Sequence, residues 1–164
     1  MSGSPVAALD GGAVPTEREV PDVTGWAGAG PMRVGNAADG QVQHDALGLF
    51  VEAVSVHVQC GGVLRPDVWN SVLAIADGIS TALLDTEAET SSGVWELREP
   101  HLLISEDIGR WLALDRAVWL ARGWRPLTRR RRWKQARAAV RARVLGALAA
   151  KWGPSPANSP RSQR

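Results

Sequence analysis

The chain has 164 residues, 45% of them hydrophobic and 22% charged, which is enough for one globular domain with its own core. Its sequence has no apolar run near 18 residues and no basic start followed by an apolar stretch, which argues against a membrane span and a secretory signal. We therefore expect a cytoplasmic protein without a membrane partner.

Charge is divided unevenly along the chain. Residues 1–115 hold all 17 acidic residues but five of the 19 basic ones, a net charge of −12, whereas residues 116–164 carry +14. Halves of opposite sign could attract each other within one fold or across a dimer. The basic half could instead attract an anionic partner such as a nucleic acid.

The first predicted helix runs from 39 to 59. Polar residues recur on it every three or four positions, namely Gln41, Asp45, Gly48, Glu52, Ser55 and Gln59. This stripe is either the solvent face or, in a barrel of paired helices, a line of side chains that ends at a pocket. Cys60, the only cysteine, cannot form an internal disulfide, and we expect it to be a buried thiol at the helix end.

A second helix is predicted over 66–84, because Pro66 suits a first turn and apolar residues then follow helical spacing. A polar loop over 86–93 leads from it to Trp95 and Glu96. An acid that protonates a leaving oxygen near neutral pH needs a raised pKa, which an apolar neighbour such as Trp95 can provide. The alternative is that Glu96 lies in an exposed loop and Trp95 anchors the core.

Two more helices complete the predicted elements. Ser105 is expected to cap the third, with Asp115 and Arg116 making buried or partly buried contacts that fix its packing. The fourth spans 128–148, and its arginines are interpreted as a solvated outer face rather than a nucleic-acid patch, because they lack interleaved aromatics. Trp69, Trp111, Trp119 and Trp133 are assigned to the core, and Trp95 and Trp26 to the neighbourhood of a ligand.

A series of short motifs occurs in an order typical of one known family. They are Leu9-Asp10-Gly11-Gly12, Glu17-Arg18-Glu19-Val20-Pro21, Arg33-Val34-Gly35-Asn36-Ala37-Ala38, Gln41-Val42-Gln43-His44-Asp45, Gly93-Val94-Trp95-Glu96 and Leu114-Asp115-Arg116-Ala117. In this order, the sequence resembles glycoside hydrolase family 15, which contains glucoamylase-type and bacterial trehalase-type enzymes. The resemblance covers roughly Leu9 to Leu148.

The resemblance implies both a fold and a set of site residues. The fold is all-α, with paired helices forming part of an incomplete (α/α)6 barrel. Glu96 matches the general acid, Trp95 would line the subsite of the glucosyl ring, and Asp45 would bind sugar hydroxyls. Arg98 and His101 fall near positions that face substrate. The implied substrate is an α-glucoside, either a starch-type oligosaccharide or trehalose, and no metal or organic cofactor is implied.

The sequence also departs from the family pattern. Asp39-Gly40 stands where an aromatic and a polar residue are usual, and Glu106 follows Ser105 where the family usually has lysine. The family's general base is a glutamate far towards the C-terminus, and no acidic residue follows Arg116 here. Inverting hydrolysis needs two carboxyl groups roughly 6.5–9.5 Å apart, so we expect little or no hydrolysis by this chain alone.

The expected organisation is a disordered start over 1–8, a partial family 15 catalytic domain over 9–150 and a disordered tail over 151–164. This pattern suggests an internal fragment of a longer gene. The competing interpretation is a non-catalytic helical binding module, whose basic C-terminal half binds an acidic partner or a second copy of the chain. Apolar edges left by an incomplete barrel would also favour self-association.

Overall fold

The computed structural model describes residues 8–10, 12–41, 43–85, 90–95, 97, 99–123 and 127–152. This part of the chain is mostly helical, as predicted. It contains the helices α1 (His44–Gln59), α2 (Pro66–Asp85), α3 (Ile104–Leu120) and α4 (Leu127–Trp152). An antiparallel hairpin of β1 (Arg18–Thr24) and β2 (Pro31–Val34) precedes them. The all-α prediction did not include this hairpin.

The core lies between the four helices. α3 packs against α1 and α4, and α2 packs mainly against α4. Trp69 and Trp133 are buried in this core, while Trp111 and Trp119 are partly buried against it, so the core assignment of these four tryptophans is confirmed. α4 contributes Ala136 and Val140 to the same core, and both are fully buried.

The contact between α1 and α3 depends on two glycines. A Cβ added to Gly48 would lie 2.5 Å from the carbonyl oxygen of Gly109, and one added to Gly109 would lie 2.4 Å from Cα of Asp45. Both obstacles are backbone atoms, which cannot rotate away. The two helices therefore approach as closely as backbones allow, and this contact fixes the first turn of α1 against α3.

The polar stripe on α1 faces α3. Ser55 is fully buried, Gly48 touches α3, and Glu52 pairs with Arg116. The solvent-face interpretation of the stripe was therefore wrong for most of its length, although Gln59 is exposed. The absence of a side chain at Gly48 permits the close backbone contact. The Glu52–Arg116 pair adds an ionic link between the same two helices.

The two oppositely charged parts of the chain meet within the fold. Arginines of α4 pair with acidic residues of α2 and α3; the pairs are Arg129–Asp77, Arg132–Asp85, Arg137–Asp115 and Arg143–Asp107. Arg116 also contacts Asp115, at 2.8 Å, so these two residues link α1, α3 and α4 as expected of packing contacts. Part of the charge asymmetry is thus neutralised inside one molecule.

Three local expectations need correction. α1 begins at His44 rather than near 39, because Gln41 and Gln43 are extended and a separate 3-10 turn covers Ala37–Gly40. α3 begins at Ile104 with Leu103 as its N-cap, so Ser105 lies inside the first turn and is not the cap. Cys60 is exposed, because the helix ends there and the chain turns through Gly61 towards solvent.

Candidate functional site

The residues predicted to handle a sugar fall in two classes. Asp45 lies in the first turn of α1, Trp95 ends a turn over 93–95, and His101 lies shortly before α3. Glu96 and Arg98 lie outside the described residues. The geometry of the site is therefore built on the first three residues and their neighbours.

Asp45 joins α1 to the turn that carries Trp95. Its Oδ2 accepts a hydrogen bond from the Val94 backbone N–H at 3.2 Å, and its Oδ1 accepts one from the N–H of Ala46 at 2.9 Å. Asp45 and Val94 are 49 residues apart in sequence. The structure thus places Asp45 against Val94, the residue before Trp95, and the family resemblance had assigned Asp45 and Trp95 to one site.

Loop 91–95, defined as Ser91 to Trp95, is held at its base by a short bridge. Ser91 and His101 exchange two backbone hydrogen bonds of 2.9 Å, which fixes His101 opposite Ser91. The Ser91 hydroxyl also accepts from the N–H of Gly93, which turns with φ +61°. Trp95 follows with 62% of its surface exposed, so the interpretation of Trp95 as a core anchor was wrong.

A second carboxyl group lies beside Asp45. Glu106, in the first turn of α3, is 1% exposed, and its Oε2 accepts a hydrogen bond of 2.7 Å from the His44 backbone N–H. The same oxygen lies 3.3 Å from Nδ1 of His44. Both carboxyl groups thus lie at helix N-termini, where the helix dipoles favour negative charge.

The two carboxyl groups have pKa values shifted in opposite directions. Burial raises the pKa of Asp45, and the neighbouring charge of Glu106 raises it further. Burial also raises the pKa of Glu106, but hydrogen bonds from His44 and Ser91 outweigh this effect, so its pKa lies below the ordinary value. Glu106 is therefore the partner that holds the negative charge more firmly.

A polar cleft of about 580 Å³ lies next to this cluster. Its lining carries amides, hydroxyls and one carboxylate, and consists of Glu17, Asn36, Ala37, Ala38, Gly40, Gln41, Thr90, Ser91, Ser92 and Pro100. Asp45, Trp95 and His101 do not line it, although Ser91 joins the cleft to the base of loop 91–95. Such a lining suits a neutral, hydroxyl-rich ligand better than an apolar one.

Other expectations about binding concern metals and Trp26. In the part of the chain that the structure describes, no three His, Cys, Asp or Glu side chains group closely enough to hold a metal ion. Trp26 is 93% exposed in the 3-10 turn that connects β1 to β2. No helix among the described residues is long and apolar enough to cross a membrane.

Comparison with known proteins decides the family. The sequence profile described as Glycosyl hydrolases family 15 matches residues 7–158, which is most of the chain. The chain belongs to this family. Asp45, Trp95 and His101 all lie within the matched range.

Curated relatives of this family 15 chain include several trehalases. Trehalase 1 of Sulfolobus acidocaldarius is 33% identical over 68% of the chain, and a trehalase of Thermoplasma acidophilum is 31% identical over 72%. A trehalase of Mycolicibacterium smegmatis is 28% identical over 79% of the chain. The chain spans about a fifth of the length of these relatives. No solved structure matches it.

Sequence reasoning missed Glu106 as a member of the site. Glu106 was noted as a departure from the family pattern, but the sequence could not predict that its carboxyl meets His44 across 62 residues of sequence. The available signal was the departure from the family pattern at this position. Glu17 and Ser92, which line the cleft, carried no comparable signal.

Proposed function

We propose that this chain forms part of the sugar-binding surface of a glycoside hydrolase that acts on α-glucosidic bonds, as a portion of an (α/α)6 barrel. The observation that carries the proposal is the hydrogen bond from the Val94 N–H to Asp45, which joins the α1 N-terminus to the residue before Trp95. An aspartate held against the residue before an exposed indole offers a hydrogen-bond acceptor for hydroxyls and, in the indole, a flat face for a sugar ring.

The proposed roles follow the family match residue by residue. Glu96 acts as the general acid, Trp95 stacks on the glucosyl ring and Asp45 binds hydroxyls, while Arg98 and His101 contact the substrate from the following segment. An inverting mechanism needs a second carboxylate to activate water. Residues 116–164 contain no acidic side chain, so this second carboxylate does not come from them. We therefore expect this chain alone to bind a sugar without hydrolysing it.

Trehalose is the first ligand to test, because the relatives described above are named trehalases. Maltose, an α-glucoside of the same size, separates trehalose-type from starch-type recognition. Calorimetric titration of the chain with each sugar should give binding of trehalose over maltose. Preferential binding of maltose would favour the glucoamylase-type interpretation, and binding of neither sugar would contradict the proposal.

Replacing the proposed hydroxyl ligand should weaken this binding. Asp45→Asn keeps one oxygen for the Val94 N–H but removes the charge that strengthens hydrogen bonds to hydroxyls, so the affinity for trehalose should fall about tenfold, or about 1.4 kcal/mol. Asp67→Asn is the matched control, because Asp67 also lies in the first turn of a helix but is exposed beside Arg65. Equal losses in both variants would show that Asp45 has no specific role.

Self-association is a separate proposal that follows from exposed apolar residues on α1. Leu49 is 64% exposed and Phe50 41%, on the side of the helix away from its buried residues. A second copy of the chain would cover this surface. Light scattering across a concentration series should detect dimers, and Leu49→Lys should shift the equilibrium to monomers. Ala53→Lys is the control, because Ala53 is also exposed but offers less apolar surface, and it should change the equilibrium less. A monomer at all concentrations would contradict self-association.

A further inference from the structure

Glu106 is an ionisable group buried where the first turns of two helices meet. Its side chain is 2% exposed, and a carboxylate with so little solvent must be compensated by neighbouring donors. The His44 backbone N–H supplies one such donor at 2.7 Å, and the His44 ring lies within 3.3 Å. Glu106 therefore holds the residue that directly precedes Asp45.

The same carboxyl group reaches loop 91–95. The Ser91 side chain hydrogen-bonds to Glu106, and the Glu106 carboxyl lies close enough to Asp45 for its negative charge to raise the pKa of Asp45. Asp45 in turn accepts from the Val94 N–H, and Ser91 accepts from the N–H of Gly93. Glu106 is thus in contact with both ends of the link between α1 and loop 91–95.

We propose that Glu106 is the positioning residue of this site, which fixes Asp45 and loop 91–95 relative to each other without touching the sugar. The inference rests on the proposed role of Asp45 in sugar binding. Asp45 alone makes a hydrogen bond of 3.2 Å to the loop, whereas Glu106 adds links to the residues on either side of that bond. A network held at several points orients a ligand-binding carboxylate more precisely than one bond does.

The competing explanation is that Glu106 only helps to attach α1 to α3. The chain provides a control for this explanation, because Glu52 of α1 pairs with Arg116 of α3 in the same helix interface, about two turns away from Asp45. Removing the charge of Glu52 removes an ionic link between the same helices. It should leave the Asp45 network intact.

The test compares E106Q with E52Q in the full chain, using carbon NMR of the Asp45 carboxyl and hydrogen exchange of the Val94 amide. The Gln side chain is isosteric, so E106Q can still accept from His44 but carries no charge. In E106Q the pKa of Asp45 should fall towards its ordinary value and the Val94 amide should exchange about tenfold faster. E52Q should change neither quantity.

Affinity for trehalose gives the functional readout. It should fall about tenfold in E106A and less in E106Q, which keeps an acceptor for His44, and stay within about twofold in E52Q. If the parent chain binds no trehalose, the proposed function fails, while the NMR measurements still test the positioning. Unchanged Asp45 and Val94 signals in E106Q, or equal changes in E52Q, would overturn the inference.

Discussion

Gly109→Ala is expected to lower the free energy of unfolding by about 1–2 kcal/mol, because a clash with a backbone atom places the overpacking cost in the upper half of the usual range of about 1–3 kcal/mol, whereas replacing a helical glycine gains only about 1 kcal/mol. The added Cβ would lie 2.4 Å from Cα of Asp45, a backbone atom. Only a separation of α1 from α3 can relieve this clash. The separation would also move Asp45, so the loss of stability should be accompanied by weaker sugar binding.

Gly146→Ala is the matched control for this substitution. Gly146 lies within α4, and an added Cβ would meet nothing within 4 Å. The same change should therefore stabilise the protein by about 0.5–1 kcal/mol through helix propensity alone. Urea unfolding followed by circular dichroism measures both variants. A gain in stability for Gly109→Ala, like that of Gly146→Ala, would show that α1 and α3 do not approach closely.

Helices were the part of the fold that the sequence predicted well. The predicted ranges 66–84 and 128–148 agree closely with Pro66–Asp85 and, at its start, with Leu127–Trp152. Apolar residues at helical spacing predict a helix that packs on a core, and this signal does not depend on the other elements of the fold. The start of α1 was placed five residues early. The Asp39-Gly40 pair is a turn signal that the helical spacing of the polar residues outweighed in the prediction. Contacts of Gln41 and His44 with distant segments also fix this boundary.

The hairpin of β1 and β2 was not predicted, for a different reason. Six of the seven residues of β1 and all four of β2 are exposed, so neither strand needs the alternating apolar pattern that reveals a half-buried strand. Arg33 pairs with Glu17 and Glu19 across the hairpin, at 2.8 and 3.2 Å. These are cross-strand partners that only the register brings together.

The periodicity of the polar stripe on α1 could not show whether the stripe faces solvent or a partner helix. A stripe of Asp45, Glu52 and Ser55 is polar whether it meets water or a partner helix, and only Arg116 and Gly109 on α3 make the second arrangement favourable. Glu106 shows the same principle at the site. Its role depends on contacts with Ser91 and His44, which lie 15 and 62 residues away in sequence. Resemblance to the family predicted Asp45 as a site residue, but gave no reason to expect the neighbouring carboxyl of Glu106.

Trp133→Ala should have the largest effect on stability, a loss of about 3–5 kcal/mol, which is the usual cost of removing a buried tryptophan. Trp133 is 1% exposed, and its indole Nε1 donates a hydrogen bond of 2.8 Å to Asp77. The substitution would leave a cavity between α2 and α4. Domains of this size have a total stability of about 5–15 kcal/mol, so the variant should be close to unfolding at room temperature.

Two further substitutions separate packing from hydrogen bonding at this position. Trp133→Phe keeps most of the apolar volume but loses the bond to Asp77, which should cost about 1–2 kcal/mol. Trp152→Ala removes the same side chain from the same helix, but Trp152 is 69% exposed and contacts Lys151 through its ring, so the expected change is within about 0.5 kcal/mol. In thermal unfolding, Trp133→Ala should therefore be the least stable variant, Trp133→Phe intermediate and Trp152→Ala nearly unchanged. A Trp133→Ala protein as stable as Trp152→Ala would mean that α4 is not packed on α2 through this indole, and the described core would be wrong.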